Sequence, residues 1–157
     1  MIDSKQVIAD FQFLGNRVSK FEIETRDIDH KEAEAHLAIE LDYNIVDLDK
    51  NDNNYFGCLG FIVVIKAKIK NSILFKIYLN MEGAFIGNKE KIEFEVFQKM
   101  LEMNGLTTLS QLSRAYIISA TALSGINPPI KMPMINVLSL IKQKREKEEK
   151  IKSNLDD

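Results

Sequence analysis

The chain is 157 residues long, 45% hydrophobic and 28% charged, which suits one soluble domain of ordinary size with a sizeable core. Its formal net charge of -2 supplies no basic surface for nucleic acid to bind by counterion release. The single cysteine, Cys58, excludes an internal disulfide and, with no apolar secretory segment at the start, points to a cytoplasmic protein, while the apolar run Gly60 to Ile65 is too short to insert in a membrane.

From Ser4 to Leu14, the residues Val7, Ile8, Phe11 and Leu14 fall at helical spacing before Gly15-Asn16, which predicts a short leading helix. Phe21, Ile23 and Thr25 then alternate with Glu22, Glu24 and Arg26, the pattern of a half-buried strand. Beyond the polar piece Asp27 to Ala35 the alternation is cleaner: Leu37, Ile39, Leu41, Tyr43 and Ile45 against His36, Ala38, Glu40, Asp42 and Asn44. Asp47 to Asn54 reads as a turn by composition, and a third strand runs from Tyr55 to about Ile69. Asn71-Ser72 makes a tight connection to a fourth strand, Ile73 to Met81, with Ile73, Phe75, Ile77, Leu79 and Met81 on one face.

Helical periodicity follows. Asn88 is placed to cap a helix whose Ile92, Val96, Met100 and Met103 form a stripe ending at Asn104-Gly105, and a second helix runs from Thr107 to Gly125. Four strands followed by helices predict an α+β fold, a four-stranded antiparallel sheet with helices packed on one face. The third strand is apolar on both faces: Leu59, Phe61, Val63 and Ile65 on one, Phe56, Cys58, Ile62 and Val64 on the other, where Leu74 and Tyr78 join them. One helical layer covers one face only, so the remainder implies an oligomer or an apolar binding surface.

Ser124 to Leu140 holds all three prolines among apolar residues. Proline fixes φ and pushes its predecessor to extended geometry, so Asn127-Pro128-Pro129 and Met132-Pro133 must run extended until Asn136 caps a last helix, with Ile135 and Leu140 placed as a hydrophobic staple. The segment either lies over the core edge or offers Met132 and Met134 to a partner. The small-residue strip Ser113, Ile117, Ala120 and Ser124 likewise leaves two readings open, packing on the protomer's own sheet or contact with another helix.

Leu112 to Leu140, LSRAYIISATALSGINPPIKMPMINVLSL, resembles the SecB family of protein-export chaperones: an aromatic-bearing helix, a small-residue and glycine turn, a proline segment, then a step opening the final helix, here Pro133-Met134-Ile135-Asn136-Val137. Met81-Glu82-Gly83-Ala84-Phe85-Ile86 resembles the segment that closes the family's last strand. The resemblance covers roughly Val18 to Ile141. It implies a homotetramer, a dimer of dimers in which strands of two protomers pair and the long helices pack between sheets, with Leu112, Ser113, Tyr116, Ile117 and Ala120 in the interface. It also implies grooves for unfolded polypeptides. The client-binding residues it points to are Phe21, Ile23, Leu37, Ile39 and Leu41 on strands, facing Met132, Met134, Ile135 and Leu138.

Family members serving the export motor SecA carry carboxylates on the exposed sheet, where this nearly neutral chain has Tyr78; others protect an antitoxin, so SecA and an antitoxin both stay open as partners. Residues 1–141 form the expected chaperone domain and 142–157 a charged, solvated helical tail, in which Lys144, Arg145 and Lys147 interleave with Glu146, Glu148 and Glu149. The expected function is an ATP-independent holdase for export or partner protection, with a chaperone or adaptor dedicated to one partner as the alternative.

The residues do not point to an enzyme, a cofactor or a metal. Asp47, Asp49 and Asn51 sit at calcium-loop spacing, but Asp52 occupies the glycine position and Cys58 the glutamate position. His30 and His36 lack further ligands for zinc. Cys58 has apolar neighbours rather than an activating base, and Gly57-x-x-Gly60 lacks the lysine of a phosphate loop.

Overall fold

The computed structural model describes residues 8–26, 35–70 and 72–153. Four strands, β1 (Phe11–Thr25), β2 (His36–Lys50), β3 (Asn54–Ile69) and β4 (Ser72–Asn88), form one sheet in the order β1-β4-β3-β2, and all neighbours are antiparallel. The β3–β4 hairpin is central and the first two strands lie at opposite edges. In the ladder Phe21, Leu79, Val63 and Leu41 fall in register on one face, as do Ile23, Ile77, Ile65 and Ile39. Helix α1 (Phe94–Met100), a π-helical turn (Leu101–Gly105) and helix α2 (Leu106–Leu123) cover that face, and α3 (Val137–Ser153) lies beside β2. The expected α+β arrangement is the one observed.

Several boundaries differ from expectation. Phe11 to Leu14 are strand and Ile8 to Asp10 are not helical, while residues 4–7 of the expected leading helix lie outside the described residues. The cause is tertiary: β4 continues to Asn88 instead of ending at Met81 and offers β1 a partner, so Phe11 stacks on Phe85 with ring centroids 5.4 Å apart. Asp47 to Lys50 extend β2 rather than turning, and only Asn51 to Asn53 connect it to β3. Asn88 organises a turn through its side chain, which accepts the Glu90 N–H at 2.9 Å, and helix α1 starts at Phe94, after an extended Glu93 that gives no side-chain cap.

Asn104-Gly105 does not end a helix. Gly105 keeps helical angles, φ -61° and ψ -51°, and the chain passes through the π-helical turn into α2. A Cβ on Gly105 would stand 3.0 Å from Leu59 Cδ2, so glycine here serves close helix–sheet approach rather than a stop. The buried stripe is also displaced. Val96 and Met103, expected inside, are each 43% exposed, and the inward row is Phe97, Leu101, Leu109, Ser113, Ile117 and Thr121. At Gly125, φ +76° terminates α2 as expected.

The proline segment is extended, and Thr121 pins it to the end of α2. The Thr121 hydroxyl donates to the Ile117 carbonyl at 2.7 Å and accepts the Ile130 N–H at 3.0 Å, both inside the core. Asn136 caps α3 by accepting the Ser139 N–H at 3.0 Å. Replacing Thr121 by valine keeps the volume but leaves the buried Ile130 N–H without an acceptor. We expect a loss of about 1–3 kcal/mol, read from urea unfolding; an unchanged midpoint would show the pin to be dispensable.

Candidate functional site

The second sheet face lies opposite α1 and α2, and α3 reaches it at the β2 edge. Phe56, Cys58, Ile62, Val64 and Tyr78 there are half-buried by one another and by their strand neighbours. Glu82 is the buried charge of this face; Arg17 reaches its carboxylate at 2.7 Å through both Nε and a terminal nitrogen. Burial, and then the nearby Glu82 carboxylate, pushes the Cys58 thiol up, the opposite of an activated nucleophile.

Helix α3 turns the β2 edge into a trench. Ile141 is its one buried residue, and the following turn is held by polar groups: Lys144 Nζ lies 2.7 Å from Asp42 Oδ1, and Arg145 lies 2.6 Å from Glu102 Oε2. The Tyr43 hydroxyl donates to Glu102 Oε1 at 3.1 Å, so one carboxylate on the π-helical turn joins β2 to α3. Burial first, and the Glu102 charge second, push the Tyr43 phenol well above its ordinary range. Beside these contacts lies a hollow of about 520 Å³ with Leu41, Ile62, Val64, Leu140 and Ile151 as its apolar lining. Lys144 and Glu148 divide it from a smaller hollow of about 290 Å³ at Tyr43, Asn44, Ile45 and Glu102.

The predicted client residues do not form one wall and its opposite. Phe21 and Ile23 belong to β1, three strand spacings or about 14 Å from β2, and Phe21 packs edge-on against Tyr116. Met132 is 1% exposed and belongs to the core, whereas Met134 and Leu138 are 76% and 62% exposed. Ile135 is half-buried against the core. Leu37 is exposed and Ile39 and Leu41 are half-buried on the β2 edge. Of the predicted interface residues, Ser113 and Ile117 are fully buried within the protomer, the Ser113 hydroxyl 3.7 Å from Met81 Sδ, so the own-sheet reading accounts for them. Leu112, Tyr116 and Ala120 are half-buried.

Sequence reasoning passed over Glu102, Lys144 and Arg145, the last two because they fall in a charge-rich tail that reads as solvated. It also missed what the β2 aspartates do. Asp42, Asp47 and Asp49 each accept the backbone N–H of the next residue, at 2.8, 2.9 and 2.7 Å. Their recurrence along one strand was the available signal.

An antiparallel sheet with an aromatic-bearing helix on one face and a proline-linked last helix at its edge defines a class of small α+β folds. Within it the fold is SecB-like: the chain superposes on the Mycobacterium tuberculosis SecB-like chaperone Rv1957, in complex with a ChAD peptide from the Rv1956 HigA1 antitoxin, with a TM-score of 0.58 over 81% of this chain and 91% of that one, at 11% identity. A Streptococcus agalactiae protein of unknown function aligns at a TM-score of 0.44 and 7% identity, over 79% and 97% of the two chains. No protein-family model matches the chain, and no curated protein matches it. No helix among the described residues is long and apolar enough to cross a membrane.

Proposed function

We propose that the protein is a non-enzymatic chaperone of the holdase type, which keeps non-native polypeptides soluble without ATP by binding their unfolded state. The observation that carries this reading is the exposed apolar surface along the β2 edge, the proline segment and α3, where Leu37, Met134 and Leu138 stand in solvent and Leu41 and Leu140 line the trench. The client surface is then Leu37, Ile39, Leu41, Met134 and Leu138, without Phe21, Ile23 or Met132. A surface of this kind works best presented by an oligomer, and the exposed Val96, Met103 and Leu123 on the outward side of the helical layer suit packing between protomers into the expected tetramer.

The second reading is a chaperone dedicated to one partner. The neighbouring fold was seen with an antitoxin peptide, which favours an antitoxin-like partner over the SecA motor. Either reading places the protein in the cytoplasm, where such clients are made.

The test is aggregation of a chemically unfolded client diluted into buffer without nucleotide, with the oligomer mass measured by light scattering. Stoichiometric suppression by a four-chain particle is the expected result. No suppression at a several-fold molar excess would remove the chaperone reading, and a monomeric mass would remove the tetramer.

A further inference from the structure

The sheet ends in two edge strands, β1 and β2, and an unpaired edge is a template for a further strand. On β2 the stretch from Tyr43 to Lys50 has the residues for such pairing: Ile45 and Val46 are 40% and 45% exposed, and Leu48 is half-buried beside them. Pairing with β3 is regular from His36 to Ile45 and resumes at Asp47, so backbone N–H groups of β2 point alternately toward β3 and away from the sheet. The outward ones in this stretch belong to Tyr43, Ile45, Leu48 and Lys50.

All but the Ile45 group are occupied from within the strand. Asp42, Asp47 and Asp49 each accept the N–H of the residue that follows, Tyr43, Leu48 and Lys50, at 2.8, 2.9 and 2.7 Å. Asp42 Oδ1 also meets Lys144 of α3 at 2.7 Å, so α3 stands at one end of the stretch, and Asn51 closes the turn into β3 at the other. The same aspartates set a row of like charge along the edge, which disfavours a second strand carrying that row. β1 differs on both counts. Among the described residues no side chain accepts a backbone N–H of β1, and its exposed charges, Arg17, Lys20, Glu22 and Glu24, are of both signs, with Lys20 paired to Glu22 at 3.0 Å.

We propose that Asp42, Asp47 and Asp49 bar a second copy of this chain from pairing along β2 between Tyr43 and Lys50, so that these three carboxylates decide which edge copies of the protein can share. The inference concerns self-assembly and does not depend on the chaperone reading. A second β2 strand needs the outward N–H groups as donors, and here they are engaged. Freeing one turns its aspartate toward the aspartates of the newcomer. Removing the carboxylates releases the donors and the charge together, and Ile45 and Val46 then supply apolar contact for the added strand.

The test is the particle mass of the full chain, read by light scattering over a range of protein concentrations. Asp47→Ala/Asp49→Ala should keep the melting temperature, since both side chains are exposed, and raise the mass about twofold or more as particles join through β2. Asp47→Asn/Asp49→Asn retains an acceptor oxygen at each place and should associate less than the alanine pair. Adding Ile45→Lys to the alanine pair should restore the wild-type mass, because a lysine there obstructs strand pairing at this edge and at no other. In the wild-type chain the Leu48 and Lys50 amides should exchange with solvent several-fold more slowly than the outward Ile45 amide. Should the alanine pair lose its fold, Asp47→Ala alone and these exchange rates carry the test. An unchanged mass in the folded alanine variants, equal association of the asparagine and alanine pairs, association that survives Ile45→Lys, or equal exchange at Ile45, Leu48 and Lys50 would overturn the proposal.

Discussion

Met132→Asp will unfold the protein, and Met134→Asp, two residues along the same extended segment, will leave it folded. Met132 is 1% exposed within the core cluster, so an aspartate there is a buried carboxylate with no partner. The cost is on the order of 4 kcal/mol or more, enough to cancel much of a small domain's stability. Met134 is 76% exposed, and a charge there meets water. Its melting temperature should move by less than about 2 °C, an ordinary surface effect, while suppression of client aggregation falls because the charge sits on the proposed apolar surface. Circular dichroism melts, particle mass and client turbidity on both variants check this. A stable Met132→Asp would contradict the position of the segment, and full activity in Met134→Asp would take this residue out of the client surface.

Phe97→Ala is the second large effect. Phe97 is fully buried and is the anchor of α1, with Phe11 and Tyr55 at ring-centroid distances of 5.7 and 5.5 Å. Its ring lies against the backbone of Gly87, where a Cβ would come within 2.5 Å of Phe97 Cδ2, so the sheet position beneath it offers no side chain to fill the space the ring leaves. Removing the ring should cost about 3–5 kcal/mol and lower the melting temperature by roughly 10 °C. Val96→Ala, on the outward side of the same turn, should stay within about 0.5 kcal/mol for a folded protomer. Comparable losses at the two positions would mean that the helix is rotated from its observed face.

These two positions also show where sequence reading stopped. Around Phe97, two apolar rows one residue apart satisfy helical periodicity. The stripe through Val96, Met100 and Met103 scores as well as the row through Phe97 and Leu101, and the choice depends on Gly57 and Gly87 lying opposite in the sheet. The leading segment failed for a related reason: Val7, Ile8, Phe11 and Leu14 suit a helix in isolation, but β4 is long enough to pair with Phe11 onward. The candidate site was legible in part. Leu37, Met134 and Leu138 are exposed and Ile39 and Leu41 half-buried, whereas Phe21 and Ile23, to which the resemblance also pointed, lie at the opposite edge because sequence order does not give strand order.

By itself the sequence determined the strands' alternating faces, the four-strand-then-helix order, the extended proline segment and the Asn136 cap, because each depends on backbone chemistry within a few neighbouring residues. Only the tertiary structure decided that β1 and β2 occupy opposite edges, which helical row faces inward, that Met132 is core while Met134 is not, and that Asp42, Asp47 and Asp49 take the backbone N–H groups of Tyr43, Leu48 and Lys50. Those outcomes depend on which distant surface each residue meets, and local periodicity is the same for either choice.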